Sequence, residues 1–171
     1  MNNFEWKYVW HFLLIFVIQA LIVNNVSMWG YVTPMFYIMF VLSLPFQTPK
    51  WLVVFSGFLL GVCMDMFSGV AGMHAASLAL IAFIRPLVMQ LIPHSIIEEH
   101  MRPILQDMHF WWFSGYTFIM AFIHQFCLFF LDALSFGHFF HLIGMTLLNA
   151  FFTTLLIVLV QFLFYSSSKR Y

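Results

Sequence analysis

A chain of 171 residues that is 64% hydrophobic and only 7% charged cannot clothe a water-soluble domain, which carries roughly 25% charged side chains. Six basic residues against six acidic ones leave no net charge and no basic patch for nucleic acid. Each membrane-spanning helix takes about 20 apolar residues, so residues 1–171 read as one polytopic, all-α membrane domain with room for about six spans.

The first apolar stretch, 8–26, follows a weakly charged start with Glu5 and Lys7. No small-residue cleavage site follows it, so it reads as a retained helix and not a signal peptide. The second stretch, 34–44, begins after Thr33 at Pro34, where proline suits the first helical turn, and stops before Pro45 and Pro49. At about 1.5 Å per residue it falls short of a full crossing unless its ends extend past the prolines or the bilayer thins. The third span covers 51–67 and the fourth 70–92, parted by the turn signal Ser68-Gly69. A polar connection, 93–109, mixes Ile96, Ile97, Met101, Ile104, Leu105 and Met108 with its charges, which predicts a short interfacial helix broken by Pro103. The fifth span covers 110–131 and the sixth 139–165, ahead of a polar tail.

With both termini in the cytoplasm, six spans set Lys7, Lys50, Arg85, Arg102, Lys169 and Arg170 on the inner side and leave the outer connections without Lys or Arg. Asp65 and Asp132 then sit at outer helix ends. Trp6, Trp10, Trp29, Trp51, Trp111 and Trp112 fall near span ends as interfacial anchors.

Gly57, Gly61 and Asp65 recur every four residues and so share one stripe of the third span. Ala71, Ala75 and Ala79, with Gly72 and Ala76 beside them, make a small-residue stripe on the fourth. Small residues let helices approach closely in lipid, so the stripes are expected to face each other or a partner helix. Asp65, at the end of its stripe, needs donors. Backbone N–H groups around Gly69 to Gly72, the Ser68 hydroxyl and His74 are nearest. Asp65 is either the cap of the fourth helix or a polar anchor for a partner or ligand.

The order Gly61, Asp65, Gly69, Gly72, His74, preceded by Pro34, resembles the rod shape-determining protein MreD family over roughly residues 34–86. Length, span number and cytoplasmic ends agree with it along the whole chain. The resemblance implies a non-enzymatic scaffold without cofactor in the bacterial inner membrane. Such a protein binds MreC and couples the MreB cytoskeleton to the peptidoglycan synthases, and so to cell elongation and cell shape. It implies a fold similar to the six-helix substrate-binding component of energy-coupling-factor transporters. The chain departs from the pattern at Met35, where many relatives carry an acid, and no role of that acid carries over.

The same fold likeness supplies the alternative, a vitamin-binding membrane subunit docking on paired ATPases. Its outward polar groups would be Asn24, Asn25, Asp65, His74, Asp132 and His138. Enzymatic readings fare worse. Glu98 and Glu99 resemble the paired glutamates of intramembrane proteases, but the spacing to Arg102 is one short and the segment lies between Pro93 and Pro103. Ser56, Ser68 and Ser114 have no base placed by spacing, and no phosphate-binding glycine loop occurs. His138 and His141 near Asp132 do not complete a metal site. His124, inside the fifth span, is expected to be an interior hydrogen-bonding group, and Cys63 and Cys127 free apolar thiols.

Overall fold

The computed structural model describes residues 6–21, 32–91, 102–133 and 139–168. Among them are six helices and no strand: α1 (Trp6–Leu21), α2 (Ile38–Leu42), α3 (Lys50–Ser68), α4 (Met73–Leu91), α5 (Phe110–Ala133) and α6 (Phe139–Ser168). From α3 onward each helix is long and apolar enough to cross a membrane, the mark of a multi-pass membrane protein. Their outer faces agree. Phe83, Trp111 and Phe140 are 73%, 83% and 89% exposed, a placement hydrocarbon tolerates because lipid solvates an aromatic ring about as well as another helix does.

α3 packs along α4, α4 along α5, α5 along α6, and α1 along α3. The connection between α3 and α4 is short because its backbone turns left-handed twice, at Gly69 (φ 70°) and Gly72 (φ 76°). Gly69 closes α3, and the N–H groups of Gly69 and Val70 both donate to the Asp65 carbonyl, a Schellman-type ending. Nothing crowds a Cβ at either glycine, so Gly69→Ala exposes backbone strain alone. It is expected to lower unfolding free energy in detergent by about 1–2 kcal/mol. Gly115→Ala, within α5 and equally unobstructed, is the control and should leave stability unchanged or slightly raised.

The second apolar stretch does not become a span. Only Ile38–Leu42 is helical, and all five of those residues are buried. Pro34 does not start the helix, whose N-cap is Tyr37. Five residues rise about 7.5 Å, a quarter of a hydrocarbon layer of about 30 Å. Irregular backbone at membrane depth survives only when protein surrounds it, and here it does: α2 touches α1, α3, α4 and α5, while Asn149 and Thr153 of α6 reach the residues before it.

Three further expectations change. Arg85, expected among the inward loop charges, lies inside α4 and is 2% exposed, because two acceptors described below hold it there. Trp112 is buried, its ring stacked on Tyr116 at 5.2 Å, while Trp10, Trp51 and Trp111 face outward. Over 102–109 the chain forms turns instead of a helix, with Leu105 in the core and the Asp107 carboxylate accepting from the Arg102 N–H at 2.8 Å. Lys50 is exposed at the start of α3. Lys169, Arg170, Asn24, Asn25, Glu98, Glu99 and His138 lie outside the described residues, as do 22–26 of the first stretch and 93–101 of the connection.

Candidate functional site

The predicted stripe on α3 meets α4 at backbone distance. A side-chain carbon at Gly61 would sit 2.6 Å from the Ala75 nitrogen and 2.8 Å from the His74 carbonyl carbon. One turn earlier, a carbon at Gly57 would lie 3.2 Å from Val41 Cγ2 and 3.4 Å from Ala82 Cβ. The stripe is therefore filled from within the chain. The facing surface of α4 is Ala75, Leu78 and Ala82, whereas Ala71, Gly72 and Ala76 are exposed and Ala79 is half-buried.

Asp65 completes this seam. It is 5% exposed, and its two carboxylate oxygens accept from the first turn of α4, Oδ1 from the His74 N–H at 2.9 Å and Oδ2 from the Ala75 N–H at 3.0 Å. Helix N-termini present unpaired N–H groups and a positive dipole end, so a carboxylate satisfies both needs. Of the two roles open to Asp65, the cap is the one seen. Its donors stand a few residues beyond the Gly69 to Gly72 stretch, because α4 starts only at Met73.

On either side of α2 the bundle supplies hydrogen bonds that the non-helical backbone lacks. Gln19 of α1 holds it twice, Nε2 donating to the Pro34 carbonyl at 3.2 Å and Oε1 accepting from the Tyr37 N–H at 3.2 Å. From α6, Asn149 Oδ1 accepts from the Thr33 N–H at 2.9 Å and Thr153 Oγ1 from the Met35 N–H at 3.0 Å. Gln125 of α5 donates to the same Thr153 oxygen at 2.7 Å. Farther along, the guanidinium of Arg85 donates to the Leu44 carbonyl and, from Nε, to the Tyr116 hydroxyl at 3.2 Å. Among the described residues no carboxylate partners Arg85. Its charge is offset by the carbonyl just past the C-terminal end of α2, where a helix is electronegative.

At the centre Tyr37, fully buried, places its hydroxyl 2.6 Å from His74 Nδ1 and 3.1 Å from His124 Nε2. A phenol carries one proton, so it donates to one ring nitrogen and accepts an N–H from the other. His74 thus ties the cap of α4 to the buried segment, and His124 is an interior hydrogen-bonding group as its position suggested. Tyr37→Phe keeps the ring and removes the bridge, leaving two ring nitrogens unpaired at about 1–3 kcal/mol each. The expected result is a variant with native helix content, by far-ultraviolet circular dichroism, that unfolds several degrees earlier.

Pro34, Gly57, Gly61, Asp65, Gly69, Gly72, His74 and Ala75 are thus brought together as one hairpin and its neighbour. Sequence reading passed over Gln19, Tyr37, Tyr116, Gln125, Asn149 and Thr153. The available signal was their polarity within apolar stretches, with Thr146, Asn149, Thr153 and Gln161 of α6 falling on one helical stripe, all buried. Asp132 and His141 are exposed, and no group of three His, Cys, Asp or Glu able to hold a metal occurs among the described residues. Comparison with protein-family models, curated proteins and solved structures finds no match.

Proposed function

We propose that this chain is a non-enzymatic scaffold of the bacterial cell-elongation complex. In this reading it lies in the inner membrane with both termini cytoplasmic and folds like the six-helix component of energy-coupling-factor transporters. It binds MreC and, directly or through it, the MreB cytoskeleton and the peptidoglycan synthases. The observation that carries the reading is the fate of the motif: Gly61, Asp65, Gly69, Gly72 and His74 are all spent on locking one hairpin to a buried segment. That is what a rigid adaptor requires, since a partner can be positioned only by a surface that does not yield. Because the Gly57, Gly61 and Ala75 seam is filled from within, the partner surface belongs on the outer faces of the helices.

A vitamin carrier would draw its ligand contacts from outward polar groups. Two of them, Asp65 and His74, are already engaged inside the fold. The groove between α5 and α6, about 360 Å³, offers a ligand only the Ser114 and Thr154 hydroxyls among apolar side chains such as Phe110, Phe151, Leu155 and Phe162.

The test is purification of the tagged protein from its own membranes in mild detergent, with identification of whatever stays bound in near-equal amount. MreC or a wall synthase is the expected companion. Paired ATPases, a co-purifying vitamin, or no companion at all would overturn the proposal.

A further inference from the structure

An unpaired polar atom in a protein core costs about 1–3 kcal/mol, and a membrane offers it no bulk water in compensation. Four such atoms, on residues that are fully buried, occur on α4 and α5: Ser77 Oγ, Thr117 Oγ1, His124 Nδ1 and Gln125 Oε1 have no partner among the described residues. Left bare together they would cancel a large part of a typical folding free energy of about 5–15 kcal/mol.

They are grouped by the helix pairing. α4 and α5 run antiparallel, tied at one level by His74 and His124 through Tyr37 and at another by Arg85 and Tyr116. Ser77 lies one turn from His74 toward Arg85. Thr117 lies two turns from His124 toward Tyr116, and Gln125 follows His124 in the chain. Ser77 Oγ and Thr117 Oγ1 therefore fall between the two ties, His124 Nδ1 lies at one of them, and Gln125 Oε1 lies just beyond it on a side chain that also reaches Thr153 of α6; Thr117 and His124 are roughly 10 Å apart in helix rise.

We propose that this interval binds a short file of water molecules, and that with it His124, Tyr37 and His74 form a proton relay inside the bundle. The chemistry of the lining suits water. It offers neutral oxygen and nitrogen atoms, each able to accept, and the nearest carboxylate, Asp65, is already engaged by two backbone N–H groups. In the relay a proton is handed along the file, each water taking one up from the side of solvent as it gives one to its neighbour, and reaches His124 Nδ1 while the proton on His124 Nε2 moves to Tyr37 Oη. The original phenol proton moves to His74 Nδ1, and His74 gives its Nε2 proton to a water molecule at the Asp65 end of the bundle. One proton enters and one leaves, both imidazoles end neutral with tautomers exchanged, and the reverse transfer restores them. The transfer adds no ion to the apolar interior beside the Arg85 already held there. The inference goes beyond the scaffold reading and does not depend on it.

The experiment uses the full chain in lipid nanodiscs. X-ray radiolysis makes hydroxyl radicals from bound water in place, so the wild-type protein alone reports on the file. After correction for intrinsic reactivity, Tyr37 and His124 are expected to be oxidised several-fold faster than Met64 of α3 and Phe40 of α2, buried apolar side chains that lie outside α4 and α5. Ser77→Ala combined with Thr117→Val should bring them down to the control rate. Labelling of wild-type Tyr37 and His124 at the control rate would overturn the water file. In protein with ¹⁵N-labelled histidine, solvent exchange of the His124 ring proton should slow in Tyr37→Phe. An exchange rate unmoved by that change, in protein whose radiolysis shows the water, would overturn the relay.

Discussion

Gly61→Leu is expected to break the α3/α4 hairpin itself, not to loosen a contact with another protein. The position that any β-carbon must take lies 2.6 Å from the Ala75 nitrogen, and the obstruction is backbone, which cannot rotate aside as a side-chain tip can. α3 would have to move away from α4. That movement strips Asp65 from the His74 and Ala75 N–H groups and His74 from Tyr37, because the three contacts share one seam. Overpacking of a core typically costs about 1–3 kcal/mol, and loss of the linked hydrogen bonds sets the total at the top of that range or beyond. Even Gly61→Ala should be clearly destabilising, whereas Gly57→Ala, where the nearest atom is a Val41 methyl carbon at 3.2 Å, should be mild. Unfolding in mixed micelles, followed by denaturant titration, ranks the three. A Gly61→Leu protein with wild-type stability would show that the seam is looser than its geometry.

Asp65→Leu should be nearly as severe for a different reason. Two N–H groups in the first turn of α4 lose their acceptor in a place that water reaches poorly, and hydrogen bonds to a charged group contribute about 1.5–3 kcal/mol each. We expect a loss of about 3 kcal/mol or more, with Asp65→Asn retaining part of it through its amide oxygen. The order of stability should run Asp, Asn, Leu. This variant also separates the cap from the anchor role. If Asp65→Leu unfolds no more easily than wild type yet loses a protein that wild type retains on purification, the carboxylate serves that contact and not the helix.

The glycine spacing carried real structural content. Gly57, Gly61 and Asp65 at intervals of four predicted a common stripe, and the left-handed turns at Gly69 and Gly72 follow from residues that alone adopt them at little cost. Of the matching stripe on α4 only Ala75 lies in the seam, and Ala79 is half-buried. Ala71 and Ala76 point outward, and Leu78 and Ala82 take the seam, since α4 does not begin until Met73 and its facing side is set by the turn before it. Pro34 marked a change in the chain correctly but not its kind: a stretch of that length, closed by Pro45 and Pro49, reads as a short helix whether it crosses lipid or sits inside protein.

Composition and periodicity by themselves determined that the chain is helical, multi-pass in character and built around a tight glycine-and-aspartate hairpin, because hydrophobic runs, four-residue spacing and glycine torsions are properties of neighbouring residues. Only the tertiary structure decided that residues 32–44 lie enclosed, that Arg85 serves a backbone carbonyl instead of the membrane surface, and that Tyr37 joins His74 to His124. Those outcomes rest on pairs such as Thr33 with Asn149, 116 positions apart. A local pattern shows that a polar side chain inside a membrane helix needs a partner, but which partner depends on how the helices pack, and packing is a property of the whole chain.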